Sequence, residues 1–185
     1  MCIEKTACFL GHRKIDVTDE LTNRLYREIE NLIIADGIDT FLFGSKSQFD
    51  DLCYTVVTDL KSKYPNIQRV YVRAENEYID GEGSRAYREG LAEYYEKTYY
   101  PESVSGAGKA VYVKRNYEMI DKSSVCVVYY DENYRPPRRK QSRRDLTDYQ
   151  PKSGTGVAYK YAEKKKRRII NLYNINGSKI DIKDK

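Results

Sequence analysis

The stretch "DTFLFGSKSQFDDLCYTVVTDLKSKYPNIQRVYVRA", Asp39 to Ala74, joins a short apolar run, a turn at Gly44, a helical pattern and a second apolar run. Phe49, Leu52, Cys53, Val56, Val57 and Leu60 recur at helical spacing, which winds one apolar stripe onto an α-helix. The helix must stop before Pro65, because proline disfavours helical backbone in the residue ahead of it. Strand, amphipathic helix and strand in that order predict a right-handed crossover between parallel strands.

The same alternation extends in both directions. "TACFLGHRK" places an apolar strand through Leu10, broken at Gly11. Residues 18 to 35 set Leu21, Leu25, Ile29, Leu32 and Ile33 at helical spacing, with Thr18 as N-cap and Gly37 as the stop. Beyond Ala74 the pattern loosens. Residues 84 to 97 read as a helix carrying Tyr87, Leu91, Tyr94 and Tyr95, and residues 99 to 110 as a loop. "YVKRNYEMIDKSS" reads as a short helix and "SVCVVYYD" as a strand buried on both faces. A charged, proline-bearing segment follows, then a helix over Val157 to Arg167 and a last strand, "RIINLY". The expected fold is an α/β, Rossmann-like domain: a mainly parallel sheet flanked by helices. One domain over 1–175 with a loosely held tail over 176–185 accounts for the chain.

Composition narrows the function. The formal charge of +5, from 33 basic against 28 acidic residues, suits a small anionic ligand or a weak nucleic-acid contact. Cys8, Cys53 and Cys126 lie in apolar runs and, with Cys2, show no C-x-x-C spacing, so buried free thiols in a reducing, cytoplasmic setting are expected. No apolar run reaches the length of a membrane span, about 18 residues. His12 is the only histidine, which removes most zinc sites and any catalytic triad lacking it. No metal site and no cofactor are expected. The 19 tyrosines, with no tryptophan beside them, suit core edges where a ring is buried and its hydroxyl stays wet.

Ligands of open α/β sheets collect outside the carboxyl ends of the strands. Several strands here end in small or polar turns: Gly11-His12-Arg13, Gly44-Ser45-Lys46-Ser47, and Tyr130-Asp131. Ser153-Gly154-Thr155-Gly156 leads directly into a helix. Glycine lets backbone approach an anion, and the unpaired amides of a helix start favour phosphate. Each turn also has a plainer reading as ordinary helix capping. Neither G-x-G-x-x-G after the first strand nor G-x-x-x-x-G-K-[ST] occurs, which disfavours NAD and P-loop chemistry.

Four stretches, "CFLGHRK", "FLFGSKSQFDDLCYTVVTDLKSKYP", "KRNYEMIDKSSVCVVYYD" and "KSGTGVAYKYAEKKKRRII", together resemble the SLOG superfamily, nearest to its YpsA-like branch. The DNA-uptake protein DprA and the LOG phosphoribohydrolases belong to the same superfamily. The resemblance implies a pocket for a nucleotide or nucleotide-derived ligand in a homo-oligomer. Carried over by position, that pocket draws on Gly11, His12, Arg13, Gly44, Ser45, Asp50, Arg115, Asn116, Asp121, Ser153, Gly154 and Thr155. Arg13 and Arg115 would fork onto phosphate oxygens, Ser153 and Thr155 would donate to them, and Asp50 or Asp121 would accept from a ribose hydroxyl. Asp50 has a competing role as a cap of the second helix, Asp121 as a helix-end bond, His12 as a satisfied loop histidine and Asn116 as a residue that holds a loop.

The LOG enzymes split an N-glycosidic bond, and a carboxylate beside their P-G-G-x-G-T turn serves that chemistry. Here "SGTGVAYKYAE" lacks the proline and offers no acid before Glu163, about 10 Å along the helix from Gly156. Asp50 or one of Glu75, Glu77, Asp80 and Glu82 would have to substitute. A binding module that senses or sequesters a nucleotide signal is therefore expected ahead of a hydrolase. Gln48 stands where DprA has glycine. Nucleic-acid binding through "RPPRRKQSRR" and "EKKKRR" is the further alternative, against which such runs commonly mark solvated faces or loops.

Overall fold

Strand β1 (Thr6–Gly11) sends Ala7 and Phe9 to one face of its sheet and Cys8 and Leu10 to the other, all of them buried. The computed structural model describes residues 2–44, 47–74, 93–135 and 153–173. After β1 come α1 (Asp19–Ile34), β2 (Thr40–Phe43), α2 (Gln48–Lys63), β3 (Gln68–Val72) and β4 (Lys97–Tyr99). Then follow α3 (Val111–Asp121), β5 (Val125–Tyr129), α4 (Gly154–Lys164) and β6 (Arg168–Asn171). The six strands form one sheet in the order β4-β3-β2-β1-β5-β6, and every pairing is parallel. The Rossmann-like α/β class expected from the sequence is the class observed.

Each face has its own core. Helices α1 and α2 bury Leu25, Ile29, Phe49, Val57 and Leu60 against Phe9, Phe41 and Phe43. Helices α3 and α4 bury Met119, Ile120, Ala158 and Ala162 against Cys8, Leu42, Val70 and Cys126. Because both faces are covered, the strands read as continuous apolar runs. Each fully buried large side chain contributes roughly 1.5–3 kcal/mol. Ala158 and Ala162, four residues apart, let α4 lie close to the strands.

Helix starts follow local chemistry. The hydroxyl of Thr18 accepts the N–H of Leu21 at 3.1 Å, as its position predicts. Gly37, at φ 64°, turns the chain in a conformation that costs other residues more. Three expectations need correction. Lys97–Tyr99, placed by the sequence across a helix end and a loop, forms a sixth strand at the sheet edge. The helix expected from Val157 begins at Gly154, because Ser153 caps it by accepting the N–H of Gly156 at 2.9 Å. Asp50 is not the cap of α2. Ser47 fills that position, accepting the Asp50 N–H at 3.1 Å and donating its hydroxyl to the Asp50 carboxylate. Most of the helix expected over 84–97, the basic run at 135–144 apart from Arg135, and the tail lie outside the described residues.

Cys8, Cys53 and Cys126 are buried free thiols and Cys2 is exposed. Cys8 and Cys126 face each other across β1 and β5, with sulfurs 3.6 Å apart. Tyr54, Tyr64, Tyr95 and Tyr129 pack on the rim of the first core, the place the composition predicts for them. No described helix is long and apolar enough to cross a membrane.

Candidate functional site

The chain lays down β2, β3 and β4 successively to one side of β1, and α3 then carries it back to β5 on the other side. Strand order therefore reverses between β1 and β5, and the crevice beyond their carboxyl ends is the position where such sheets hold ligands. Gly11 and Tyr129 are the paired last residues of these two strands.

His12 follows Gly11 and closes the reversal point. Its N–H donates to the Tyr129 carbonyl at 3.3 Å, and its Nε2 accepts the N–H of Asp131 at 3.0 Å. The ring stacks on Tyr134 with centroids 4.1 Å apart. Burial pushes the imidazole below its ordinary pKa, against an opposing pull from Asp131. Arg13 is exposed, and its carbonyl accepts the Gln48 N–H at 3.0 Å, tying this loop to the start of α2.

At the first two glycines a side chain would collide with the protein itself. A methyl on Gly11 would stand 2.5 Å from Phe49 Cβ, and one on Gly44 would stand 2.6 Å from an Arg115 amino nitrogen. Both glycines make room for the protein's own side chains. Arg115 itself is buried at 3% exposure and lies across Gly44. Its Nε donates to Asn116 Oδ1 at 3.0 Å and its Nη1 to the Val72 carbonyl at 3.4 Å. Asn116 and the Val72 carbonyl therefore hold the Arg115 guanidinium beneath the carboxyl edge. Asp50 is buried as well, bonded to Ser47.

The turn before α4 is different. A Cβ on Gly154 would meet nothing within 4 Å, while Thr155 beside it is buried. The amides of a first helical turn have no intrahelical acceptor, so the open start of α4 presents donors and the positive end of the helix dipole. Tyr130 flanks it: its ring comes within 3.2 Å of a Cβ on Gly156 and stacks on Tyr159 with centroids 4.6 Å apart.

The structure thus places Gly11, His12, Arg13, Gly44, Asp50, Arg115, Asn116, Ser153, Gly154 and Thr155 at one edge of the sheet. Ser45 lies outside the described residues. Asp121 is not with them. It ends α3 at the opposite edge, where its carboxylate accepts from the Tyr161 hydroxyl and pairs with Lys165, both at 2.8 Å. That is the helix-end role its position allowed. Glu163 is exposed near the far end of α4.

Tyr134 and Asn171 were not singled out by the sequence, and Tyr130 was named only as part of a strand-end turn. The Asn171 amide clamps Tyr130, taking its N–H at 3.1 Å and donating to its carbonyl at 2.9 Å. The available signal was one amide in an otherwise apolar last strand. Among the described residues no group of three His, Cys, Asp or Glu side chains is placed to hold a metal ion. No protein-family model matches this chain, and a search of curated proteins finds no significant match.

Proposed function

We propose that this chain is a SLOG-like domain that binds a phosphorylated nucleotide, with phosphate at the start of α4 and the remainder in the crevice between β1 and β5. The observation that carries this reading is the space at Gly154, where a Cβ would meet none of the described residues within 4 Å, at the start of α4 and on the edge where strand order reverses. Tyr130 supplies a ring beside it. No acid stands near Gly154 in α4 before Glu163, so the reading is of a binding module and not of a hydrolase.

A thermal-shift screen over nucleoside phosphates, cyclic dinucleotides and ADP-ribose tests it. A ligand at 100 times its Kd stabilises by about 2.7 kcal/mol, which raises Tm by roughly 5–10 °C in a chain of this size. Gly154→Asp separates the site from the fold. The open space at Gly154 accepts the side chain, and an acid in the first helical turn stabilises by about 0.3–1 kcal/mol. The variant is expected to melt no lower than the parent and to lose the ligand shift. A variant that still responds like the parent places the anion elsewhere.

A further inference from the structure

We propose that His12 is a proton-operated latch: neutral, it fastens the turn Asp131–Arg135 to the carboxyl end of β1, and protonated, it releases that turn. The imidazole is buried at 3% exposure and reaches the turn at two points. Nε2 accepts the Asp131 N–H at 3.0 Å, and the ring face lies on Tyr134 at 4.1 Å. The acceptor role puts the ring hydrogen on Nδ1 and requires the neutral form.

Most other bonds of the turn are internal. Asp131 Oδ1 accepts the Asn133 N–H at 2.8 Å, the Asp131 carbonyl accepts the Tyr134 N–H at 3.2 Å, and the Glu132 carbonyl accepts Arg135 Nη1 at 3.3 Å. Protonation would place a second N–H on Nε2, aimed at the Asp131 N–H. Donor would then face donor, and the bond holding the turn to β1 would be lost.

The groups facing the ring set the direction of the switch. Tyr129, Tyr130 and Tyr134 surround it with aromatic rings, and the Asp131 carboxylate is the charged neighbour that favours the imidazolium. Burial outweighs the opposing pulls of the Asp131 backbone and carboxylate and lowers the midpoint below the usual 6.5. The latch is therefore closed at neutral pH and opens on acidification. It does not depend on which ligand the crevice accepts.

Because His12 is the only histidine, a proton NMR titration of the full chain reports its ring without ambiguity. The ring is expected to titrate with a midpoint below 6.5, and the Asp131 amide proton to move upfield with the same midpoint as its acceptor is lost. In His12→Gln the side-chain oxygen reaches the Nε2 position and stays an acceptor, so the Asp131 amide is expected to hold still between pH 7.5 and 5. A ring midpoint at or above 6.5 overturns the latch. So does an Asp131 amide that stays put while the ring titrates, or one that shifts equally in His12→Gln. The wild-type titration decides the first two outcomes even if the variant does not fold.

Discussion

Gly11 carries a lesson about what a glycine in a turn means. Its place after an apolar strand marks a spot where a side chain is unwelcome, and the sequence reading gave that space to an anion. The structure gives it to Phe49, whose Cβ stands 2.5 Å from where a methyl on Gly11 would be. One residue's neighbours in sequence reveal the need for room but not the occupant, since Phe49 arrives from another element. Gly44 and Arg115 repeat the case across a longer separation. Gly11→Ala is therefore expected to destabilise by overpacking, about 1–3 kcal/mol, visible as a lower urea midpoint with an unchanged slope. Phe49→Leu, which takes the ring away, should offset part of that loss, so the double variant falls short of additivity. Strict additivity would mean that the two sites do not compete for space. The capping at Ser153 was legible because it is local, reaching the N–H of Gly156 three residues on. Asp121 was misplaced because only α3's direction tells which edge its last residue faces.

At the scale of elements, the long amphipathic helices and the apolar strands were plain in the sequence, and β4 was not. Its three residues, Lys97, Thr98 and Tyr99, carry no apolar run, and pairing with β3 alone makes them a strand. A side-chain clamp beside it compensates. Glu96 accepts the backbone N–H of Arg69 at 2.6 Å and its guanidinium Nη2 at 2.7 Å, while Lys61 stands 3.6 Å away. Burial pushes this carboxyl up, but the bonds from Arg69 outweigh it and hold the pKa at about 2, below the ordinary 4.5. The sign follows from linkage. The folded state binds its proton less readily than the unfolded chain, so the clamp's contribution is complete above pH 4.5 and is lost as pH falls toward 2. The group is partly solvated, which limits the gain to about 1 kcal/mol. Glu96→Gln should thus lower stability by about that amount at pH 7 and flatten the acid limb between pH 4.5 and 2. Parallel acid limbs in urea titrations of parent and variant would remove Glu96 from this role.

For the whole molecule, the parallel sheet gives its two edges opposite character. All four described α-helices start at the carboxyl edge, so that edge collects the amides of first helical turns and positive dipole ends, while the amino edge collects carbonyls. The basic run Lys164–Arg168 sits at the amino edge, at the far end of α4 from Gly154. Lys165 pairs with Asp121, Arg168 with Asp36, and Arg167 donates to the Asp121 carbonyl at 2.9 Å. These charges answer local acids and helix ends, and they stand the full length of α4 from Gly154. That helix has 11 residues, so the separation is about 15 Å, nearly twice the screening length of about 8 Å at physiological salt. Two charge changes on one helix should then act in opposite senses. Lys164→Glu sets an anion against the negative end of the dipole and is expected to cost about 0.5–1 kcal/mol, yet to keep the ligand-induced rise in Tm. Gly154→Asp raises or preserves stability and loses that rise. Melting both variants with and without the ligand found for the parent separates fold from site. Loss of the ligand response in Lys164→Glu as well would mean that net charge, and not the start of α4, draws the anion.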